Sequence, residues 1–127
     1  MKFSNSINLE KLPSRNDFLA TARAYKVVAV GLVLQMRIRK GVYSLSRVGY
    51  TASCKVGNAV KRNRSRRRLR AIVNDVLVRR AQPGCDYVLI ARAATAKRTY
   101  SNLLNDLASA LDRMEKIVMK SKNDNIA

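Results

Sequence analysis

From Lys61 to Arg70, seven of ten residues are basic, and six of those seven are Arg. A guanidinium group presents paired N–H donors in a planar fork that matches two oxygens of a phosphate, so a run of this type is suited to binding phosphates. A solvated helix of ordinary design would mix charge signs for pairing at i, i+4. Here no acidic residue occurs between Asp17 and Asp75, a stretch that holds 14 of the 26 Lys and Arg residues. The rest of the chain offers little for catalysis. There is no His and only two Cys, Cys54 and Cys85, far apart. Zinc-finger spacings, Cys-His nucleophile pairs and Ser-His-Asp triads are excluded together, and both Cys read as reduced thiols. A metal-dependent nuclease would need clustered carboxylates or His to hold Mg²⁺ and orient water, and the acid-free basic half supplies neither.

An element must carry these guanidinium groups. Gly57-Asn58 reads as a turn and N-cap opening a helix from about Ala59 to Arg80, which Pro83-Gly84 stops. Its apolar stripe, Leu69, Ile72, Val73, Val76 and Leu77, has the spacing of a core-facing side. Extended toward the N-terminus at about 100° per residue, the stripe meets Arg62, Ser65 and Arg66, with Asn63, Arg67 and Arg70 on the adjoining flank. These guanidinium groups cannot all be buried unpaired. Either this half of the helix projects past its support, or it lines a groove that an anionic ligand fills.

Before the helix, Ser14 with Asp17 three residues on reads as a capping box for a short helix after Pro13. The apolar run from Lys26 to Met36 reads as strand, with Gly31 as a bulge or a break into two strands. Arg39-Lys40-Gly41 is turn material. Ser46 to Ser53 alternates, with Val48, Tyr50 and Ala52 on one face, and reads as a second long strand. After the basic helix, Asp86 to Arg92 reads as a short buried strand. Thr99 or Ser101 caps a last helix striped by Leu103, Leu104, Leu107, Leu111 and Met114. The order helix, strands, long basic helix, strand, helix gives an α+β fold class, an α/β sandwich of one sheet with helices against it.

The length of 127 residues suits a single domain, 1–127, with a core at about 11–118 and flexible segments at 1–10 and 120–127. The net charge of +18 calls for a polyanionic partner. The longest apolar run, Val27 to Leu34, falls short of a bilayer span, and no secretory signal is read at the start, which favours a cytoplasmic protein with no membrane partner.

The segment Lys55-Val56-Gly57-Asn58-Ala59-Val60-Lys61-Arg62-Asn63-Arg64-Ser65-Arg66-Arg67-Arg68-Leu69-Arg70 resembles the signature of the bacterial ribonuclease P protein subunit. Other landmarks agree in order: Leu12, Arg15 and Asp17-Phe18, then Val48-Gly49, then Asp86 to Arg92, then Thr99-Tyr100. The resemblance covers roughly residues 11 to 115. It implies a fold like the second domain of ribosomal protein S5, with a left-handed strand-helix-strand crossover against the usual right-handed preference. It also implies a function, that of a small basic protein assisting a catalytic RNA in endonucleolytic removal of the 5′ leader of precursor tRNA. The RNA would carry the chemistry and the Mg²⁺ the holoenzyme requires, with no catalytic or metal-ligating residue on the protein.

On that resemblance Lys55, Asn58, Lys61, Arg62, Asn63, Arg64, Arg66, Arg67 and Arg70 face the catalytic RNA. The leader would lie in a cleft against Phe18 and Arg92, to which strand alternation adds Tyr50. The chain departs from the family's pattern at Cys54, where a Lys is usual, and at Ser65 and Arg68, where apolar residues are usual. Ala22 stands where a second cleft Phe is common, and Gln35 or Met36 where an aromatic often sits. A structural RNA-binding protein such as a small ribosomal protein would explain charge and size equally well; the motif from Lys55 to Arg70 separates the two. A duplex-DNA reader is disfavoured because the long helix follows a strand and not the tight turn of a helix-turn-helix.

Overall fold

The computed structural model describes residues 9–41 and 45–126; side chains are described to residue 122. Its strands are β1 (Leu9–Lys11), β2 (Tyr25–Val28), β3 (Leu32–Ile38), β4 (Ser46–Thr51) and β5 (Cys85–Ala91), and its principal helices are α1 (Arg15–Ala22), α2 (Ala59–Ile72) and α4 (Tyr100–Ile126). They form one sheet of order β1-β4-β5-β3-β2. β2 and β3 are an antiparallel hairpin, so Gly31 marks a break between two strands. β4 and β5 are parallel neighbours joined through α2, and β1 runs parallel to β4 at the edge.

Strand alternation sends side chains to two different layers. Val48 of β4, Leu32, Leu34 and Met36 of β3, and Tyr87 and Leu89 of β5 meet Leu69 and Ile72 of α2 and Leu103, Leu107 and Met114 of α4 in one core. The other face carries α1. There Phe18 lies so close on Gly49 that any side chain at that position would collide with the ring.

That second face also holds a buried ion network. Asp86 is fully buried in β5 and accepts from Arg37 (2.5 Å) and Arg47 (2.8 Å), while Asp17 of α1 accepts from the same two Arg at 3.0 and 3.2 Å. Burial pushes the Asp86 carboxyl up, but the hydrogen bonds from Arg47 and Arg37 overcome it and hold the group below the usual carboxylate range. Asp17 is likewise held low, first by its Ser14 hydrogen bond and then by the two Arg.

Several expected boundaries move. Leu9 and Glu10, expected in a flexible lead, lie in β1, because β4 offers a free edge to pair with; the rest of that lead, 1–8, lies outside the described residues. The strand expected to reach Ser53 stops at Thr51, where its pairing with Ile90 ends. A 3₁₀ turn, Cys54–Val56, follows, with the Ser53 hydroxyl accepting from the Lys55 amide at 3.3 Å. The expected helix to Arg80 is helical throughout but widens into a π turn at Val73–Leu77 before α3 (Val78–Arg80). The backbone from residue 120 is helical to Ile126, since neither Gly nor Pro interrupts the sequence from Tyr100 onward. Thr99, not Ser101, caps α4, accepting from the Asn102 amide at 3.1 Å.

Candidate nucleic-acid interface

Gly57 adopts φ +140°, a conformation that L side chains rarely adopt, and turns the chain from the 3₁₀ segment into α2. Asn58 then caps the helix, its Oδ1 accepting from the Lys61 amide at 3.0 Å. The capping arrangement commits the Asn58 side-chain oxygen to the fold. From here the helix carries its cations to different sides. Lys55, Lys61, Asn63, Arg64 and Arg67 are exposed, and Arg62 is half-buried. Asn63 receives a hydrogen bond from Arg66 (2.6 Å), which directs that guanidinium along the helix.

Arg66 and Arg70 form one wall of a groove. Its floor is the end of β4, from Val48 to Thr51, with Ala52 just beyond it, and its other wall is the start of α1 with Ser14, Arg15 and Phe18. Lys11 and Leu12 close one end. The groove exists because β1 pairs with β4 only as far as Val48, so the outer edge of β4 beyond it has no strand beside it among the described residues. Within the groove Arg70 stands over the Tyr50 ring, with Cζ 5.2 Å from the centroid. Burial pushes the Tyr50 phenol up to about 12, with the Arg70 charge working the other way.

The fold thus brings Phe18, Tyr50, Arg66 and Arg70 to one surface. It does not bring Arg92 there. β5 is flanked by β4 and β3, so the residue that follows it emerges beside the β2–β3 turn, where the Arg92 guanidinium donates to the Ala29 carbonyl. Arg68 is also set apart from the groove. Its guanidinium donates to the carbonyls of Thr95 (3.0 Å) and Arg98 and ties α2 to the 92–99 loop. Ser65 is fully buried and its hydroxyl has no hydrogen-bond partner among the described residues.

Lys11 and Arg15 line the groove, although the sequence pattern did not single them out for it. The available signal was Arg15 at the first position of a capped helix, beside a Phe-bearing turn.

The Ribonuclease P family model matches residues 8–115, which takes in both walls of the groove and all of the basic helix. The chain belongs to the ribonuclease P protein family. It is 46% identical over 111 residues to a Ribonuclease P protein component from Ruegeria pomeroyi, covering 86% of this chain and 89% of that one. A second such component, from Paramagnetospirillum magneticum, is 47% identical over 110 residues, covering 84% and 83%. The solved ribonuclease P protein from Thermotoga maritima superposes with a TM-score of 0.66 at 26% identity, covering 82% of this chain and 96% of that one. The fold class read from the sequence and the resemblance agree with this membership, and the small ribosomal protein is not favoured.

Mg²⁺ in a holoenzyme is an expectation of the resemblance read from the sequence, which assigns it to the RNA. The protein's own donor set does not fit a resident ion. Among the described residues no group of three or more His, Cys, Asp or Glu could hold a metal, and Asp17, Asp86, Asp106, Asp112 and Glu115 are each engaged by Arg. No helix among the described residues is long and apolar enough to cross a membrane.

Proposed function

We infer that this chain serves ribonuclease P through two joined surfaces, as the protein subunit of the endoribonuclease that matures the 5′ end of tRNA. Its partner is the ribonuclease P RNA. The exposed side of α2, with Lys61, Arg62, Asn63, Arg64 and Arg67, together with Lys55 in the 3₁₀ turn before it, is the side that meets this RNA, with Asn58 shaping the turn. The groove between α1 and α2 takes the single-stranded 5′ leader of precursor tRNA along Phe18 and Tyr50, with Arg66 and Arg70 at its wall. Arg92 would meet a leader only where it passes the β2–β3 turn.

One observation carries this reading. The basic helix supplies a wall of the aromatic groove, so a strand leaving a helix-bound RNA enters the groove without crossing uncharged surface. Phosphates find Arg on the wall, and unpaired bases find the Phe18 ring on the opposite wall. The protein binds and positions, and the hydrolytic chemistry with its Mg²⁺ belongs to the RNA. In this role residues 1–127 act as a single ribonuclease P protein domain with its core at about 11–118, working in the cytoplasm.

Reconstitution tests it. The purified chain alone is expected to leave precursor tRNA intact. With a bacterial ribonuclease P RNA, it is expected to support 5′ maturation at a Mg²⁺ concentration too low for the RNA by itself. Cleavage by rigorously RNA-free protein, or no change in the Mg²⁺ requirement, would overturn this division of labour.

A further inference from the structure

Arg70 is an exposed cation on α2 with no carboxylate partner among the described residues and another cation, Arg66, one turn before it. No carboxylate holds it at the groove, and repulsion from Arg66 together with the entropy of a long side chain favours its spreading into solvent. What lies beneath it is the face of Tyr50, at 5.2 Å. A ring face attracts a guanidinium and matches its plane. Tyr50 is itself fixed, since it is half-buried and packs against the core. Its hydroxyl makes no hydrogen bond among the described residues, so the ring is held by packing below and Arg70 above.

This arrangement changes what an aromatic on the groove floor can do. A base stacking on Tyr50 would have to displace Arg70 from the same ring. The guanidinium, held over the ring without a carboxylate partner among the described residues, has N–H donors left from which a phosphate can accept.

We propose that Tyr50 is a positioning residue that holds the Arg70 guanidinium at the groove, and that Arg70 grips a phosphate of the single-stranded leader. The proposal rests on the groove reading above and assigns Arg70 to the leader, away from the catalytic RNA.

A double-mutant cycle in the reconstituted holoenzyme decides it. The measured quantities are the affinities for precursor and mature tRNA, their dependence on salt, and the melting curve of each protein variant. Tyr50→Phe keeps the ring and is expected to stay within about twofold of the wild type. Tyr50→Leu keeps apolar volume and loses the ring face. It is expected to weaken precursor binding about two- to tenfold, leave mature tRNA binding alone, and lower the salt slope by a fraction of one ion. Arg70→Ala is expected to weaken binding at least as much, and adding Tyr50→Leu to it should cost nothing further.

Arg70→Lys serves as a second probe that leaves the core untouched. It keeps charge but not the guanidinium's paired donors, and should fall between wild type and Arg70→Ala. A Tyr50→Leu effect that persists undiminished in the Arg70→Ala background would overturn the proposal in favour of direct base stacking on the ring. Wild-type binding by Tyr50→Leu or by Arg70→Lys would overturn it as well. If Phe18→Ala and Arg66→Ala also leave precursor selectivity unchanged, the groove reading fails; if they reduce it, only the role given to Tyr50 fails.

Discussion

Phe18 and Ser65 show how a single side chain is used in two different settings. Phe18 is half-buried, with its ring laid on Gly49 and its remaining surface turned to the groove. Base-on-aromatic stacking contributes about 1 to 3 kcal/mol per base. Phe18→Ala is therefore expected to weaken holoenzyme binding of precursor tRNA by about five- to a hundredfold while leaving mature tRNA, which lacks a leader, unaffected. Equal weakening for both RNAs, tracking a lower Tm, would make Phe18 a packing residue only. Ser65 has the opposite character. It is a fully buried helical hydroxyl without a partner among the described residues. An unsatisfied buried hydroxyl costs free energy, and Ala is the better helix former. Ser65→Ala should leave stability unchanged or raise it by up to about 1 kcal/mol, read as an equal or higher Tm. A clear fall in Tm would mean that the hydroxyl is hydrogen-bonded in solution.

Within α2, residues a few positions apart belong to different tasks, and substitution should separate them. Arg62, Arg66 and Arg67 contribute no core volume, so replacing all three with Ala should spare the fold while weakening RNA binding. The salt slope should flatten by about 0.7 to 0.9 for each phosphate that the variant no longer neutralises. Arg68 donates to two carbonyls of the 92–99 loop, and Thr95 in that loop donates to the Gly31 carbonyl at 2.6 Å. Arg68→Ala should therefore lower Tm and speed amide exchange around residues 92–99, with a smaller effect on the salt slope than the triple variant. A triple variant with an unchanged slope, or Arg68→Ala with unaltered exchange, would contradict this division.

The same contrast explains what could be read from the sequence. The caps at Ser14 and Asn58, the apolar stripes of α2 and α4, and the strands β3 and β5 are written in local spacing and were legible. β1 is three residues long and gets its partner from a strand far along the chain, so no local pattern announces it. Arg68 reads as one more cation in the run, because its partners lie 27 and 30 residues away. Arg92 is assigned to the cleft on the resemblance alone, and no local pattern tells which turn it emerges beside; the strand order places it at the β2–β3 turn. Asp86 did leave a signal, as a carboxylate in a strand that reads as buried must have cationic partners.

Taken as a whole, the molecule carries a net +18 at neutral pH, and five of its eight carboxylates pair with Arg. Asp86 and Asp17 join β5, α1, β3 and β4 through Arg37 and Arg47, Arg98 pairs with Asp106, and Arg80 joins the end of α3 to α4 through Asp112 and Glu115. The response to acid follows from the direction of the shifts. Both Asp86 and Asp17 are held below their ordinary value of 3.8 in the folded state. A carboxylate depressed by folding adds stability that is fully present above its unfolded pKa and is lost as pH falls through the folded one. Stability should therefore be flat from about pH 8 to 5 and fall below about pH 4. There the paired Arg lose their counter-charges and all 26 basic residues repel one another unopposed. Asp86→Asn removes the central charge and leaves Arg37 and Arg47 competing for Asp17 alone, so it should lower Tm at pH 7 by several degrees. At pH 3 the carboxyl is largely protonated in the unfolded chain, so holding Asp86 ionised in the folded state adds less stability, and the gap between the two proteins should narrow. Thermal melts of both proteins from pH 3 to 8 measure this directly. A difference in Tm that does not change with pH would show that Asp86 acts through its shape and hydrogen bonds, and that its charge contributes nothing to holding the sheet to α1.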